Sequence, residues 1–396
     1  MPAKTRTSII QVIPDNIPSL PRLFLSFLRL GATAFGGPAM IAYIRRMVVD
    51  QKKWLDDASF KTGVAFCQMV PGATAMQASA YVGLKLRGVS GAAVSFIGFG
   101  LPAFIFMTVL SALYVQNREF PAVISAFNGL QAIIVSIVAN ATITFGKANI
   151  KNWKAAMIAV AGALLFGVGG SPFLVILLAA LAGILLYLKQ KSPHIGPADR
   201  RITTYLPVLV ILSAATVGFI VLFFVNRGLF DLAALMFRVD LFAFGGGFAS
   251  VPLMFHEVVN VNHWMDNKAF LDGIALGQIT PGPIIITATF IGYLLYGLLG
   301  AIIATVSIFL PSFLIVVGVA PYFDKLRAFS LFNKAGAGVI ASFAGLLLSV
   351  TVLFALKIPW DLWRTLLAVA AFVALLLKVE IYWVVLAGVI ISIVLF

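Results

Sequence analysis

Apolar residues fall in long blocks divided by short polar or Gly/Pro interruptions, at 23–44, 60–84, 89–115, 121–146, 155–168, 172–188, 204–226, 229–256, 268–295, 299–320, 331–356, 361–377 and 380–396. About twenty apolar residues suffice for a helix to cross a bilayer core, so the pattern predicts an all-α integral membrane protein with about 13 transmembrane segments. The blocks at 155–188 and 361–396 are short and divided only by turns. Each reads equally as two thin spans or one hairpin.

The blocks repeat. Arg29 and Phe35-Gly36-Gly37 recur as Arg238 and Phe244-Gly245-Gly246, and Gln68-Met-Val-Pro71-Gly72 recurs as Gln278-Ile-Thr-Pro281-Gly282. Gly83, Gly88, Gly91 and Leu101-Pro102 return as Gly292, Gly297, Gly300 and Leu310-Pro311; Phe127-Asn128 matches Phe332-Asn333, and Trp153 matches Trp360. Conserved order at a nearly constant offset marks a tandem duplication. The expected division is a tail at 1–22, a first repeat at 23–190, a linker with a connecting helix at 191–228, and a second repeat at 229–396. An odd number of segments before the second Phe-Gly-Gly predicts that the second copy is inverted, a recurrent transporter design.

Composition supports a lipid-facing surface. The chain is 61% hydrophobic and 11% charged, too few charges to cover a soluble fold of this size. Its net charge of +14 sits mainly in short loops, where it reads as orientation signal and headgroup contact rather than nucleic-acid binding. The N-terminal side collects about twice as many Lys and Arg as the other, which predicts a cytoplasmic N-terminus and a periplasmic or extracellular C-terminus. One loop resists: Arg45, Arg46, Lys52, Lys53 and Lys61 fall on the outer side. The single cysteine, Cys67, excludes a disulfide framework, and the first 20 residues lack an apolar signal core.

The candidate chemistry lies where helices break. Gly36-Gly37-Pro38, Val70-Pro71-Gly72 and Thr280-Pro281-Gly282-Pro283 interrupt apolar runs, with Thr280 a candidate N-cap. Each restart exposes backbone N–H groups and about half a positive charge at membrane depth, so converging restarts would bind an anion. Arg29 and Arg238, inside spans, could add guanidinium forks suited to tetrahedral oxyanions. Gln68, Gln77, Gln278, Thr33, Thr74, Ser79, Thr280, Thr287 and Thr289 could add neutral hydrogen bonds. The bland readings stand beside these. Glycines also serve close helix packing, Arg29 could snorkel to the interface, and Arg238 could pair with Asp240 or Asp231. Asn128 and Asn333 read as interhelical glue. Acids within spans are almost lacking, and Asp240 is the best candidate for ion coupling, with Glu257 next.

No nucleotide-binding P-loop or hydrolase motif occurs, so transport would draw on a gradient, and no enzymatic activity or cofactor is expected. His256, His263 and Glu257 lack zinc-ligand spacing, so no metal is expected. A sulfate permease, a passive anion channel and a membrane-embedded enzyme are the competing readings.

Arg29-Leu-Gly-Ala-Thr-Ala-Phe35-Gly-Gly-Pro38, Trp54-Leu-Asp and Gln68-Met-Val-Pro-Gly72, echoed by Phe244-Gly-Gly, Trp264-Met-Asp266 and Gln278-Ile-Thr-Pro-Gly-Pro283, closely resemble the chromate ion transporter family in its long, two-copy form. The resemblance implies an inner-membrane protein exporting chromate from bacteria, in exchange for or coupled to protons or sulfate. Its partners would be the oxyanion and membrane lipid, without nucleic acid, and a homo-oligomer is compatible. One departure stands out: the family's Pro-Gly-Pro appears in the first copy as Pro71-Gly72-Ala73.

Overall fold

A computed structural model describes residues 17–36, 39–188 and 206–396. The first repeat comprises α1 (Leu20–Thr33), α2 (Ala39–Arg45) running into a π-helical turn (Arg46–Gln51), α3 (Asp57–Met69), α4 (Thr74–Asn117), α5 (Pro121–Asn149), α6 (Trp153–Gly167) and α7 (Pro172–Leu186). After the connecting α8 (Leu206–Val225), the same order returns. It runs α9 (Arg227–Phe242), α10 (Ser250–Phe255) with its π-helical turn (His256–Val261), α11 (Asn267–Ile279) and α12 (Thr287–Val319), then a short extra α13 (Phe323–Ala328), α14 (Ser330–Lys357), α15 (Leu362–Leu376) and α16 (Ile381–Leu395).

Matching caps define the register. Asp56 accepts from Ser59 N–H at 2.8 Å and Asp266 from Ala269 N–H at 2.7 Å. Likewise Asn152 accepts from Ala155 N–H at 2.9 Å and Asp361 from Arg364 N–H at 2.8 Å. Each cap satisfies an otherwise orphaned donor of a first turn. The caps at Asn152 and Asp361 also correct one sequence match. Trp153 opens α6, whereas Trp360 precedes the cap of α15, so the two tryptophans are not equivalent.

The long α4 and α12 are hairpins. Each turns at a glycine in the left-handed region, Gly88 (φ 62°) and Gly297 (φ 59°), a conformation other residues adopt only at a cost. The arms of α4, 74–86 and 89–117, press together: a Cβ on Gly83 would overlap the Gly91 carbonyl, and Ser95 Oγ donates to Ser79 O at 2.8 Å. In α12 the Gly292–Gly300 approach and the 2.6 Å Thr289–Thr305 hydroxyl pair repeat this. The first arm also folds back on the preceding helix, since a Cβ on Gly63 would overlap the Tyr81 ring and one on Gly273 would lie 2.5 Å from Phe290. Therefore α3 with residues 74–86, and α11 with residues 287–295, are re-entrant hairpins. Their arms of about 14–20 Å, at 1.5 Å per residue, are short of a bilayer core of about 30 Å.

The second arm of α4 ties the repeats together. Near its start it lies beside hairpin one, at Ala103 it meets the tip of hairpin two at Gly282, and Tyr114 reaches Asp272 of α11 and the Phe290 ring. It thus runs from the base of one hairpin to the base of the other, so the two enter from opposite faces and the repeats are inverted. The chain reaches each hairpin through another bend. Arg87 donates to Pro18 O at the base of α1, and Arg45 on α2 pairs with Asp57 of α3 at 2.7 Å. Accordingly α1 and α2 also enter and leave on one face, as do α9 and α10, whose arms are joined by the Arg238–Glu257 ion pair. The apolar blocks at 23–44, 60–84, 229–256 and 268–295 are therefore pairs of half-length arms rather than crossings. The sequence expectation counted each as one transmembrane segment, because a bent pair and a straight span contain the same number of apolar residues.

Each repeat's terminal helices clasp the other repeat. Ser136 Oγ on α5 donates to Ala368 O of α15 at 2.7 Å, and Ser349 Oγ on α14 donates to Ala163 O of α6 at 2.6 Å. The open ends of α6 and α7 are joined by Lys154 Nζ donating to Leu186 O at 2.6 Å, so these short helices form an antiparallel pair. Lipid tails are as apolar as leucine, so close backbone approach rather than hydrophobic burial holds such contacts. A branched side chain at Gly83 would have to displace the Gly91 backbone and the Ser95 hydroxyl, whereas a Cβ at Gly88 meets open space and costs only backbone strain, about 1–3 kcal/mol. Thermal unfolding in detergent is expected to show a small loss of Tm for Gly88→Ala and loss of the folded species for Gly83→Val.

Candidate functional site

Four bends converge between the repeats. At the tip of hairpin one, Gly72 N–H donates to Ala243 O at 2.9 Å; at the tip of hairpin two, Gly282 N–H donates to Ala34 O at 2.9 Å. Pro71 and Phe244 form the isolated β-bridge. Each hairpin tip of one repeat thus completes the broken helix of the other. Gly72 (φ 117°) and Gly282 (φ 111°) hold backbone conformations that L side chains rarely adopt. Gly36, Gly245 and Gly246 also have positive φ, at 81°, 96° and 97°. Gly37 lies outside the described residues.

Helix N-termini meet at these bends. The restarting turns are α4 at Thr74, the 3₁₀ turn Ile284–Ile286 leading into α12, and the 3₁₀ turn Gly247–Ala249 leading into α10. A Cβ on Gly246 would lie 3.3 Å from Thr74 Oγ1, and one on Gly247 3.2 Å from Ile284 Cγ2. Their N-cap residues are Ala73, Pro283 and Gly246, none with a side-chain cap. The acid and amide caps of the faces are missing here, so the positive ends of these helices are left for another partner.

Two glutamines answer differently. Gln278, on the last turn of α11, is 9% exposed and its Nε2 is buried with no acceptor among the described residues. Its repeat partner Gln68 is exposed on α3. Thr280 is buried, but its hydroxyl turns back to Gly277 O at 3.0 Å. It closes α11 and does not cap the next helix, because the restart comes three residues later, after Pro283. Pro281 is buried, and Pro71 O accepts from Gln77 Nε2 at 2.6 Å.

The paired arginines are not equivalent. Arg238 holds Glu257 and stacks over Phe173 at 4.8 Å, while Asp231 pairs with Arg227 at 3.3 Å. Neither partner offered by the sequence, Asp240 or Asp231, holds Arg238. Arg29 is exposed and has no ion-pair partner among the described residues; Met47 stands at the position of Glu257 in its repeat.

Asp240 is fully buried against the tip of hairpin one. Its Oδ2 accepts from Ser312 N–H at 2.9 Å and from Ser312 Oγ–H at 2.7 Å, and Ser312 Oγ in turn accepts from Ala73 N–H at 2.9 Å. The departure at Ala73 is thereby explained. Ala73 has an N–H to satisfy and Ser312 accepts it; Pro283 has none, and Ala103 stands where the other repeat has Ser312. Ser312 was missed in the sequence, although comparing Leu101-Pro102-Ala103 with Leu310-Pro311-Ser312 exposes it. A second buried acid was also missed. Asp272, 1% exposed, accepts from Tyr114 Oη at 2.9 Å and Gln131 Nε2 at 2.8 Å, beneath a cavity of about 300 Å³ also lined by Arg118 and Lys268. Among the described residues no cluster could hold a metal ion.

Inverted repeats with broken helices meeting at one polar centre are an arrangement that recurs among membrane transporters. A family model described as "Chromate transporter" matches residues 21–184 and again 230–393, and the chain belongs to that family. It is 43% identical to the uncharacterized transporter MJ0718 of Methanocaldococcus jannaschii over 95% of this chain and 94% of the relative. It is 32% identical to the chromate transport protein of Cupriavidus metallidurans (91% and 88%) and 31% identical to that of Pseudomonas aeruginosa (89% and 84%). No solved structure matches. The chain is thus a multi-pass membrane protein of a transporter family, not an enzyme.

The Ala73–Ser312 contact predicts a specific epistasis. Ser312→Ala orphans the Ala73 N–H and is expected to cost about 1–3 kcal/mol. Ala73 already has φ −75°, next to the −76° of Pro283, so Ala73→Pro fits its backbone. In the Ser312→Ala background it removes the orphan and is expected to restore most of the lost Tm in detergent.

Proposed function

We propose that the chain is a secondary transporter of tetrahedral oxyanions, exporting chromate across the plasma membrane with proton or sulfate as coupling ion. The observation that carries this is the uncapped N-termini of α4 and α12 at the crossed tips, joined by the orphaned donor Gln278 Nε2. A buried donor without an acceptor costs stability unless a ligand supplies one. On this reading the anion lies among the tips formed by Gly36, Pro71, Gly72, Gly245, Gly246, Thr280, Pro281 and Gly282. Gln278 donates to it, Gln68 takes the matching position in the first repeat, and Asp240 is the coupling residue. Arg29 is the free guanidinium that draws the anion in, and Arg238 contributes once it leaves Glu257.

The test is chromate flux in proteoliposomes, with sulfate as competitor. Gln278→Leu and Arg29→Ala are each expected to raise KM about ten-fold or more, the value of a hydrogen bond to a charged group. Normal KM in both variants would make these side chains structural. Competition by sulfate at comparable concentration would define a general oxyanion carrier.

The loop that resisted the charge rule now supports an orientation. Because α2 returns to the face it left, Arg45, Arg46, Lys52, Lys53 and Lys61 join Arg22, Lys85 and Arg87 on the N-terminal face. The opposite face keeps only Arg118, Arg227, Lys268, Lys357 and Arg364 among the described residues. By the positive-inside rule the N-terminal face is cytoplasmic. Cys67 is buried, so introduced thiols report cleanly. Lys268→Cys is expected to react with an impermeant maleimide in intact cells, and Lys52→Cys only after permeabilisation.

A further inference from the structure

We propose that Asp240 and Gln77 form the site of a single proton that travels with the anion, and that Ser312 links this site to the tip of hairpin one. The inference rests on the transport reading above and gives the direction in which a proton moves relative to the anion. Asp240 Oδ1 and Gln77 Oε1 are both buried acceptors with no donor among the described residues. Asp240 Oδ2 accepts from Ser312, and one N–H of Gln77 Nε2 goes to Pro71 O. They meet over one glycine. A Cβ on Gly72 would overlap Ser312 Oγ and lie 2.7 Å from Gln77 Nε2 and 3.3 Å from Asp240 Oδ2.

Buried acceptors without a donor are costly, and two on side chains that meet at one glycine can be satisfied together by one proton. One proton on Asp240 Oδ1 neutralises the carboxylate and gives its O–H to Gln77 Oε1. The groups facing Asp240 are uncharged: Gln77 from α4, Ala73 from the tip, and Ser312 from α12. The charged pair nearest along its own helix, Arg238–Glu257, neutralises itself.

The consequence is coupled binding. Ala73 is the N-cap of α4, and through Ser312 it is two hydrogen bonds from the Asp240 carboxylate. A charged Asp240 sets a negative charge beside the N-terminus that receives the oxyanion; a protonated one removes it. Anion and proton therefore bind together, and each raises the affinity of the other by the same factor. The first repeat has no such site, since Gly31 stands where Asp240 stands in the second. A co-transported proton is thus selected over an exchanged one, which leaves sulfate exchange to drive export.

The experiment uses the full chain in detergent and in proteoliposomes, with chromate and sulfate as probes. For the unmodified protein, anion affinity is expected to rise at least ten-fold between pH 8 and pH 5.5, and acid outside to drive anion accumulation inside. Asp240→Asn keeps the acceptor for Ser312 and supplies N–H to Gln77, so its affinity is expected to stay at the low-pH value throughout, with no accumulation driven by pH. Gln77→Leu, which keeps the carboxylate, is expected to move the midpoint of the pH profile to lower pH. Affinity independent of pH in the unmodified protein, accumulation driven by acid inside, or an unaltered pH profile in Asp240→Asn would each overturn the proposal while leaving oxyanion transport standing. Absence of chromate and sulfate flux under any gradient would overturn it through the transport reading itself.

Discussion

The reciprocal bonds Gly72 N–H to Ala243 O and Gly282 N–H to Ala34 O are the constraint on which the centre of this protein depends. Breaking a helix in the middle of a membrane leaves backbone donors and acceptors where no lipid can satisfy them. Here each break lends its groups to the break in the other repeat. The bends of each repeat therefore use groups from the other. The same logic explains why the terminal pairs α6–α7 and α15–α16 cross over to clasp the opposite repeat's long helix.

The crossed tips also separate the scaffold from the chemistry. The glycines, the turn positions and the Asp56 and Asp266 caps are shared by both copies. The hydrogen-bonding complement is not. Ala73 with Ser312 and Pro283 with Ala103 are two solutions to one local problem, the presence or absence of a single N–H. The first solution brings a serine to the tip, and the serine brings a place for Asp240.

Much of this was legible in the sequence because glycine and proline are needed wherever backbone must bend inside a membrane. Phe35-Gly36-Gly37, Pro71-Gly72 and Pro281-Gly282 announced the breaks, and Asp240 stood out as an acid in apolar surroundings. That the breaks are hairpin tips was not legible. An apolar run such as 60–84 has the length of one span, and only the contact between Gly63 and Tyr81 shows it folded back. The placement of Arg45–Lys61 on the outer face followed from reading 23–44 in the same way, as one span. Thr280 looked like a cap because it precedes Pro281-Gly282, but the proline after them sets the restart three residues on. Asp272 was hidden because its partners, Tyr114 and Gln131, come from the other repeat.

The asymmetry between the copies has a direction. Asp240, Glu257 and Asp272 are the buried acids on α9, the π-helical turn after α10, and α11. The first repeat has Gly31, Met47 and Thr62 at the corresponding places. Ionisable groups buried at membrane depth are expensive and persist where they act on ions. A symmetric pair of proton sites would place two carboxylates beside one anion and oppose its binding twice over. On the proposed reading, confining the acids to one repeat keeps a single protonatable carboxylate beside the N-terminus of α4 and leaves the tip of hairpin two, with Pro283 and Gln278, without one. The duplicated fold supplies two matched halves, and on the proposed reading the divergence between them places the proton in one half and the anion at the boundary.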